Sequence, residues 1–220
     1  MEKILNYING ELVAPKSDNY LDNYNPKTVF SSIDIKGRYS FENQPKIALW
    51  NLARFAETFL HLIDEKESKA IRIIEEILNK YNDKYEQNWH IMMSKKLNLD
   101  LNKNNNNIIK EFLDIMHIYK LDYTNTFINL ENNSLNKNIF KNWIEKYKKL
   151  KTIKYKNVNP YIIPRNHIIE KIINQSYNNN FNFLYNFEKI IKNPYNKDSD
   201  KIFTTPPNDV EKVYQTFCGT

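Results

Sequence analysis

The sequence has a single cysteine, Cys218, so no disulfide can form within the chain. It has no apolar run of about 18 residues, which argues against a membrane-spanning helix. Its first residues also lack the apolar core of a signal peptide. These absences predict a protein of a reducing, cytoplasmic compartment. Glycine is scarce too, with Gly10, Gly37 and Gly219 the only three, so there is no glycine-rich loop to hold phosphates.

The composition is that of a folded protein, with 41% hydrophobic and 14% aromatic residues. The net charge of +6 could indicate nucleic acid. However, Lys, Asn, Ile and Tyr are abundant while Ala, Gly and Arg are scarce, which is typical of an AT-rich coding sequence. We therefore interpret the basic balance as solvated surface and expect no nucleic-acid partner. The histidines have no metal-ligand spacing and are predicted to be surface or packing residues: His61, His90, His117 and His167.

One stretch, Gly37–Trp50, combines a Gly-Arg-Tyr turn with the start of a helix. Pro45 suits the first turn of a helix, and Asn43 or Gln44 can lie at the cap. Apolar residues then recur at spacings of three and four as far as Ile63, and further apolar side chains lie off that stripe. The pattern predicts a central helix that has neighbours on several sides.

Similar periodicity predicts that most of the chain after Pro45 is helical, as a helical bundle. Asp122 or Thr124 can cap a short helix. Prolines interrupt the pattern at Asn159–Asn166, where Asn166 is expected to cap the next helix. A basic run at 146–154 is interpreted as a helix C-terminus that complements the helix dipole, in preference to a phosphate-binding patch.

Residues 1–33 have a different pattern. The segments around Tyr7 and Leu12 flank Asn9-Gly10, which is typical of a β-hairpin with a type I′ turn. An isolated hairpin is marginally stable in water, so this segment is predicted to be a hairpin or a disordered arm that the helices do not need.

The segment GRYSFENQPKIALWNLARFAE resembles the SelO (selenoprotein O, YdiU) family of protein-kinase-like proteins, which transfer AMP from ATP to protein hydroxyls. The resemblance covers about residues 34–220 and includes Leu121–Phe127 and Asn159–Asn166. It implies a bundle equivalent to the distal part of the C-terminal lobe of a kinase-like (pseudokinase) fold. The family-motif residues with a structural role are Gly37, Arg38, Tyr39, Gln44, Pro45, Trp50, Asn51, Asn159, Pro160, Arg165 and Asn166.

The resemblance also implies ATP and Mg²⁺ or Mn²⁺ as cofactors, but the family's nucleotide and metal residues lie upstream of the matched region. We therefore assign no catalytic, cofactor-binding or metal residue, and expect the chain alone to bind neither ATP nor metal. The family pairs a redox cysteine in its tail with a cysteine before the Gly-Arg-Tyr turn. Cys218 matches the first, whereas Phe30 occupies the position of the second.

Residues 3–33 also resemble the N-terminus of an aldehyde dehydrogenase, without any of that family's catalytic residues. This suggests a chimera with a join near Ser31–Asp34, and hence an arm of foreign origin at 1–33 and a helical domain at 34–220. Chance similarity is one alternative. Another is that Leu21–Pro26 continues the SelO pattern, which has a similar run there.

Two hypotheses follow. The chain is either a fragment of a protein adenylyltransferase, inactive unless an upstream fragment supplies the nucleotide-binding lobe, or a helical protein-interaction module without catalysis. Because the family acts on protein hydroxyls, the hypothesis of an adenylyltransferase fragment also implies protein substrates. Nucleic-acid binding is the weakest reading, because charges of both signs alternate along the helices.

Overall fold

The computed structural model describes residues 6–8, 11–13, 22–151, 155–198 and 200–213. Two short antiparallel strands, β1 (Asn6–Ile8) and β2 (Glu11–Val13), pair Tyr7 with Leu12. This confirms the predicted hairpin, although its Asn9-Gly10 turn lies outside the described residues. The rest is mainly helical: α1 (Gln44–Glu57), α2 (Leu60–Ile63), α3 (Glu67–Leu78), α4 (Tyr81–Lys96), α5 (Asn106–Ile118), α6 (Tyr123–Glu131), α7 (Lys137–Leu150), α8 (Asn166–Tyr177), α9 (Asn182–Ile191) and α10 (Lys201–Thr204).

Asparagine performs a task at the helix ends that glycine usually performs. A helix commonly ends with a residue in the left-handed conformation, which few side chains tolerate. Here Asn98, Asn133 and Asn179 have φ of 55°, 56° and 57° just after α4, α6 and α8. Lys120 has φ of 49° after α5. Asparagine is among the residues that enter this region most readily, so a chain with few glycines can still end its helices sharply.

The main core lies between α4, α5, α6 and α7. Trp143 of α7 is fully buried, and its indole N–H donates to the Ile108 carbonyl at 2.9 Å. Its ring lies 4.8 Å from Phe112 and 4.6 Å from Tyr147, measured between ring centroids. The buried members of this main core are Tyr24, Met93, Leu97, Leu99, Ile108, Ile109, Phe112, Met116, Phe127, Leu130, Leu135, Phe140, Trp143 and Tyr147.

A second, smaller core joins α8, α9 and α10. Phe203 of α10 is fully buried and stacks on Phe183, with ring centroids 5.4 Å apart. The ring of Phe187 of α9 also contacts Phe203, with ring centroids 5.7 Å apart. The buried members of this second core are Ile162, Ile168, Ile172, Phe187 and Phe203. The two cores are separate clusters of apolar side chains, so other contacts must hold them together.

The prediction that the helix after Pro45 is central is wrong for this chain. No residue of α1 or α2 is buried, and Trp50 is 48% exposed. The helix also ends earlier than predicted, because the Thr58 hydroxyl donates to the Phe55 carbonyl and a turn separates α1 from α2. The periodicity correctly identified an apolar helix, but the described residues do not cover it.

Residues 22–33, which the sequence assigned to an arm, pack against the helices. Tyr24 is 8% exposed and belongs to the main core. The Tyr24 N–H donates to the Leu121 carbonyl at 2.8 Å, and the Thr28 carbonyl accepts from the Phe41 N–H at 2.9 Å. The division of the chain at residue 33 stays a prediction, but this part of the segment contributes to the core.

Replacing Trp143 and Trp50 separately with alanine tests which helix is central. Trp143→Ala should lower the free energy of unfolding by about 3–5 kcal/mol, since it leaves a cavity in the main core and removes the hydrogen bond from the indole to the Ile108 carbonyl. Trp50→Ala should lower it by less than about 1 kcal/mol, because half of the ring is already in water. Urea unfolding followed by circular dichroism measures both. Equal losses would mean that α1 is as central as the periodicity suggested.

Candidate functional site

Arg165 lies at the centre of a buried network of charges. It precedes α8, and its side chain is 1% exposed. Its Nη1 donates to Asp122 Oδ2 at 2.8 Å and to the Asp22 carboxylate, while Nη2 donates to Asp122 Oδ1 at 3.2 Å. Nη2 also lies 3.4 Å from the Thr204 carbonyl of α10. One guanidinium therefore contacts three distant parts of the chain.

Asp122 has a second role, as the N-cap of α6. Its Oδ1 accepts from the Asn125 N–H at 2.6 Å, which confirms the predicted cap. Asp22 is held by the backbone, since its carbonyl accepts from the Tyr123 N–H at 3.1 Å. A single bridge pairs Asn23 with Asp122, so both carboxylates are brought to Arg165 by adjacent backbones.

The electrostatics of the network depend on burial as well as on charge. Burial raises the pKa of Asp22, and the nearby Asp122 raises it further, while Arg165 opposes both effects. Burial by itself would lower the pKa of Arg165, but the two carboxylates hold it above its ordinary value. Arg165 therefore remains charged opposite the two carboxylates.

A cavity of about 360 Å³ adjoins this network. It is lined by Asp22, Lys96, Tyr123, Thr124, Phe127, Asn159, Pro160, Ile163, Pro164 and Arg165. The Lys96 ammonium lies 4.3 Å from the centroid of the Phe127 ring, and burial lowers its pKa to about 8. Asn159 Nδ2 donates to the Lys96 carbonyl at 3.1 Å, which fixes the amide beside the end of α4.

The family-motif residues near Gly37 form a separate cluster. Gly37 has a φ of +64°, and the carboxylate of Asp34 accepts the backbone N–H groups of Arg38 and Tyr39 at 2.8 and 2.7 Å. Asn43 Nδ2 donates to the Gly37 carbonyl at 2.9 Å. These bonds fold the turn back onto the start of α1.

The remaining motif side chains extend this turn along α1. Gln44 Nε2 donates to the Tyr39 carbonyl at 2.5 Å, and Pro45 lies in the first turn of the helix. The Arg38 guanidinium lies 4.6 Å from the centre of the Trp50 ring, where a cation is attracted by the aromatic face. Asn51 is exposed on the same helix.

The second motif, Asn159–Asn166, contributes five residues to the cavity lining: Asn159, Pro160, Ile163, Pro164 and Arg165. The expectation that Asn166 caps α8 is wrong, since Arg165 occupies the N-cap position and Asn166 is the first helical residue. Arg165 forms no side-chain cap, because a guanidinium has only donors and cannot accept from the free N–H groups of the helix. Cys218 lies outside the described residues, so its predicted redox role stays a prediction.

Sequence reasoning missed Asp22 and Lys96 as members of the site. Asp22 belongs to residues 1–33, which the sequence predicts to be an arm, and no spacing pattern singles out Lys96. No described group of three or more His, Cys, Asp or Glu residues could hold a metal ion. Among the described residues, no helix is long and apolar enough to span a membrane.

The comparisons with known proteins define the class of this chain. Residues 17–192 match the family model described as "Protein adenylyltransferase SelO". The chain is 41% identical over 233 residues to "Protein nucleotidyltransferase YdiU" of Pelagibacter ubique (strain HTCC1062), covering 97% of this chain and 48% of the relative. It is 36% identical over 232 residues to the proteins of that name from Bacillus cereus (strain G9842) and Clostridium botulinum (strain Eklund 17B / Type B), with 97% of this chain covered. These alignments cover 48% and 47% of the two relatives.

The chain belongs to the SelO family of nucleotidyltransferases, and it spans about half the length of the curated relatives it matches. The match begins at residue 17, so the SelO-like region extends upstream of the predicted start near residue 34. The alignments also cover most of the segment that resembled an aldehyde dehydrogenase. They give no support for a foreign origin, and fit the alternative in which Leu21–Pro26 continues the SelO pattern.

Arg165→Met tests how much the buried network contributes to the free energy of unfolding, and a surface lysine serves as the control. The substitution leaves two carboxylates near each other without their cation, so the free energy of unfolding should fall by about 3–5 kcal/mol. Lys192→Met is the control, since Lys192 pairs with Glu188 on the exposed face of α9, and it should change stability by less than about 1 kcal/mol. Denaturant unfolding at neutral pH measures both, and similar losses would show that the network contributes little.

Lys96→Met should stabilise the protein at neutral pH. Because the folded protein lowers the pKa of Lys96, folding favours the neutral amine. The charged form therefore destabilises the fold fully below about pH 8, and this penalty disappears as the pH rises towards the ordinary value of 10.5. Removing the charge should add about 1–3 kcal/mol at pH 7 and less at pH 10.

Urea unfolding of the parent and of Lys96→Met across this pH range measures the difference. Lys95→Met is the control, since Lys95 is a neighbouring lysine that does not line the cavity. A stabilisation that stayed constant with pH would show that lost charge is not its cause.

Proposed function

We propose that this chain is the helical part of a SelO-type protein adenylyltransferase, which transfers AMP from ATP to protein hydroxyls only together with the part of the family protein that this chain does not span. In this proposal the helices correspond to the distal part of the C-terminal lobe of a kinase-like fold. ATP and Mg²⁺ or Mn²⁺ are held by the other part. Family membership, the half-length alignments and one exposed surface support the proposal.

The observation that carries the proposal is the apolar surface of α1–α3. Phe55 is 61% exposed, Leu62 is 81% exposed and Ile77 is 62% exposed. Soluble proteins that act as monomers rarely leave a large continuous apolar patch in water. The exposed apolar residues of this surface are Trp50, Leu52, Phe55, Phe59, Leu62, Ile63, Ile71 and Ile77.

The sequence of α1 supports a partner that covers it. Its apolar residues surround much of the helix, a pattern found where a helix is buried on several sides. Among the described elements, α1 contacts the turn before it, α3 and α4. The missing neighbours of α1 are best explained by the remaining half of the family protein, on the same polypeptide or on another.

The described residues also indicate how the catalytic groups are divided between this chain and the other part of the family protein. The charged network at Arg165 is internally paired, with its cation already opposite two carboxylates. Adenylyl transfer needs cationic groups on the phosphates and metal ions that neutralise their charge. We therefore assign no residue of this chain to the reacting atoms, and assign the α1–α3 surface to holding the part that contains them.

The second candidate function is a helical protein-interaction module without catalysis. The same exposed surface favours it, since an apolar helical face can bind any partner of complementary shape. The two candidates differ in one respect, because only the first requires that the partner be the other half of a SelO protein and that AMP transfer appear on binding.

The test pairs this chain with the half of the Pelagibacter ubique relative that does not align with it, supplied as a separate polypeptide. Labelled ATP with Mg²⁺ or Mn²⁺ is then added to each part alone and to the mixture. We expect no labelling by this chain alone, a complex on gel filtration, and labelled protein in the mixture. Labelling by this chain alone would contradict the proposed division of chemistry.

Surface variants locate the contact. Phe55→Glu and Leu62→Glu place a charge on the α1–α3 surface and should prevent both the complex and the labelling, while helical content is unchanged. Tyr177→Glu is the control, because Tyr177 is 84% exposed at the end of α8 and outside that surface. A complex that survived both α1–α3 variants would place the contact elsewhere. A complex that never gave labelling would favour the interaction module.

A further inference from the structure

A cavity of about 510 Å³, called the α7 cavity below, is lined by one face of α7, by the end of α6 and by the segment that joins them. Part of its lining is apolar. Leu130, Leu135 and Tyr147 are buried members of the main core, and Ile144 of α7 is half-buried beside them. Tyr147 is held in place because its hydroxyl donates to the Leu97 carbonyl at 2.8 Å. The cavity therefore has an apolar floor that belongs to the core of the protein.

Four lysines lie on the face of α7 that lines this cavity. Lys137, Lys141, Lys148 and Lys151 are separated by four, seven and three positions, which is the spacing of one helix face. All four are exposed. Lysine and arginine make up 32 of the 220 residues of the chain, whereas lysine alone makes up four of the ten residues in this lining. A codon bias that acts on the whole chain does not explain a cluster of this density.

The charges of the four lysines are not balanced within the part of the chain that the structure describes. None of them forms an ion pair with a described carboxylate. Lys146, on another face of the same helix, does pair with Glu111, at 2.8 Å. Among the described residues that line the cavity, Glu145 is the only acidic one, so four positive charges face one negative charge.

The position of Lys137 indicates that the cluster does not serve the stability of α7. Lys137 is the first residue of this helix, and no acidic residue lies in the first turn. The N-terminus of a helix carries partial positive charge, which disfavours a cation there, and like charges four residues apart, as at Lys137 and Lys141, repel each other. Lys148 complements the dipole at the other end of α7, but this explanation does not extend to Lys137. A ligand of opposite charge would relieve both unfavourable effects.

The extent of the cluster and its floor limit the kind of ligand. At about 1.5 Å per helical residue, Lys137 and Lys151 are about 21 Å apart along α7, so a single phosphate group cannot reach both. A nucleic-acid strand is long enough, but its bases need exposed aromatic rings on which to stack. The aromatic ring of this lining belongs to Tyr147, which is only 5% exposed. An apolar floor between cations instead suits a peptide that has acidic and apolar side chains.

We propose that the α7 cavity is the docking site of an acidic segment of a partner protein. An extended segment of about seven residues spans the distance from Lys137 to Lys151. Its carboxylates lie opposite the lysines at both ends, and a central apolar side chain lies on Ile144, where a carboxylate would meet Glu145. This site is separate from the α1–α3 surface and from adenylyl transfer, so it can be tested on this chain alone.

The test uses the acetylated peptide amide Glu-Asp-Glu-Leu-Glu-Asp-Glu as the probe. It is titrated into the ¹⁵N-labelled full chain at neutral pH and low salt, and backbone amide chemical shifts are followed. We expect saturable shifts at the residues that line the α7 cavity, with a Kd of about 0.1–1 mM that rises at least about tenfold in ~0.5 M salt. The neutral peptide Gln-Asn-Gln-Leu-Gln-Asn-Gln should bind at least about tenfold more weakly. Equal binding of the neutral peptide, or no saturable shift with the acidic one, would overturn the proposal.

Two charge reversals on the same helix separate a specific site from general attraction to a basic protein. Lys141→Glu should weaken binding of the acidic peptide by at least about tenfold, because it places a carboxylate among the lysines of the cavity. Lys149→Glu is the matched control, since Lys149 is an exposed lysine of α7 that does not line the cavity, and it should weaken binding by less than about threefold. Equal weakening by both variants would show that only net charge matters, and would overturn the assignment to this cavity.

An oligothymidylate with the same charge as the peptide distinguishes a nucleic-acid partner from a protein partner. It should bind no more tightly than the acidic peptide, because the cavity has no exposed aromatic ring for its bases. Tighter binding of the oligothymidylate that Lys141→Glu abolishes would overturn the proposal in favour of nucleic acid.

Discussion

The buried ion pairs of Arg165 are the contact on which the arrangement of the chain depends. The protein has two separate apolar cores, one among α4–α7 and one among α8–α10. Arg165 lies between them and binds Asp22 and Asp122 on one side and the Thr204 carbonyl on the other. Taking these charges out of water is unfavourable unless every partner is in place. The network therefore favours the one arrangement in which the segment after residue 22, the start of α6 and the start of α8 meet. Two further hydrogen bonds, from Asn125 to the Thr204 carbonyl and from Asn159 to the Lys96 carbonyl, lie along the same boundary between the two groups of helices.

The sequence predicted the local elements well because their causes are local. Periodicity located the helical segments, the Asn-Gly pair located the hairpin, and Asp122 was identified as a cap from its position before α6. The position of α1 could not be predicted in the same way. Apolar periodicity shows which face of a helix avoids water, but not whether the covering residues belong to the same chain. In this chain the described residues leave that face exposed.

The candidate site was predicted only in part, since its contacts join residues far apart in sequence. Arg165 and Asn159 were singled out through a motif, but Arg165 pairs with a carboxylate 143 positions away, which no spacing rule connects to it. The same motif predicted that Asn166 is the N-cap of α8, yet Arg165 occupies the N-cap position while its side chain contacts the carboxylates. Lys96 could not be recognised either, because a lysine in a helical pattern is ordinarily solvated, and its unusual pKa arises from burial that only tertiary structure creates.

The exposed surface and the buried network together imply that the two halves of this chain differ in what they need to be stable. Helices α4–α10 have their own cores, closed by Trp143 and Phe203 and joined through Arg165. Helices α1–α3 bury only Ala70 and Ile74, so within the described residues their attachment rests on few apolar contacts. Regions with few buried contacts open at low free energy, and binding of a partner would restrict that opening. We therefore expect α1–α3 to open at a lower free energy than α4–α10, and a bound partner would stabilise the position of α1–α3 most.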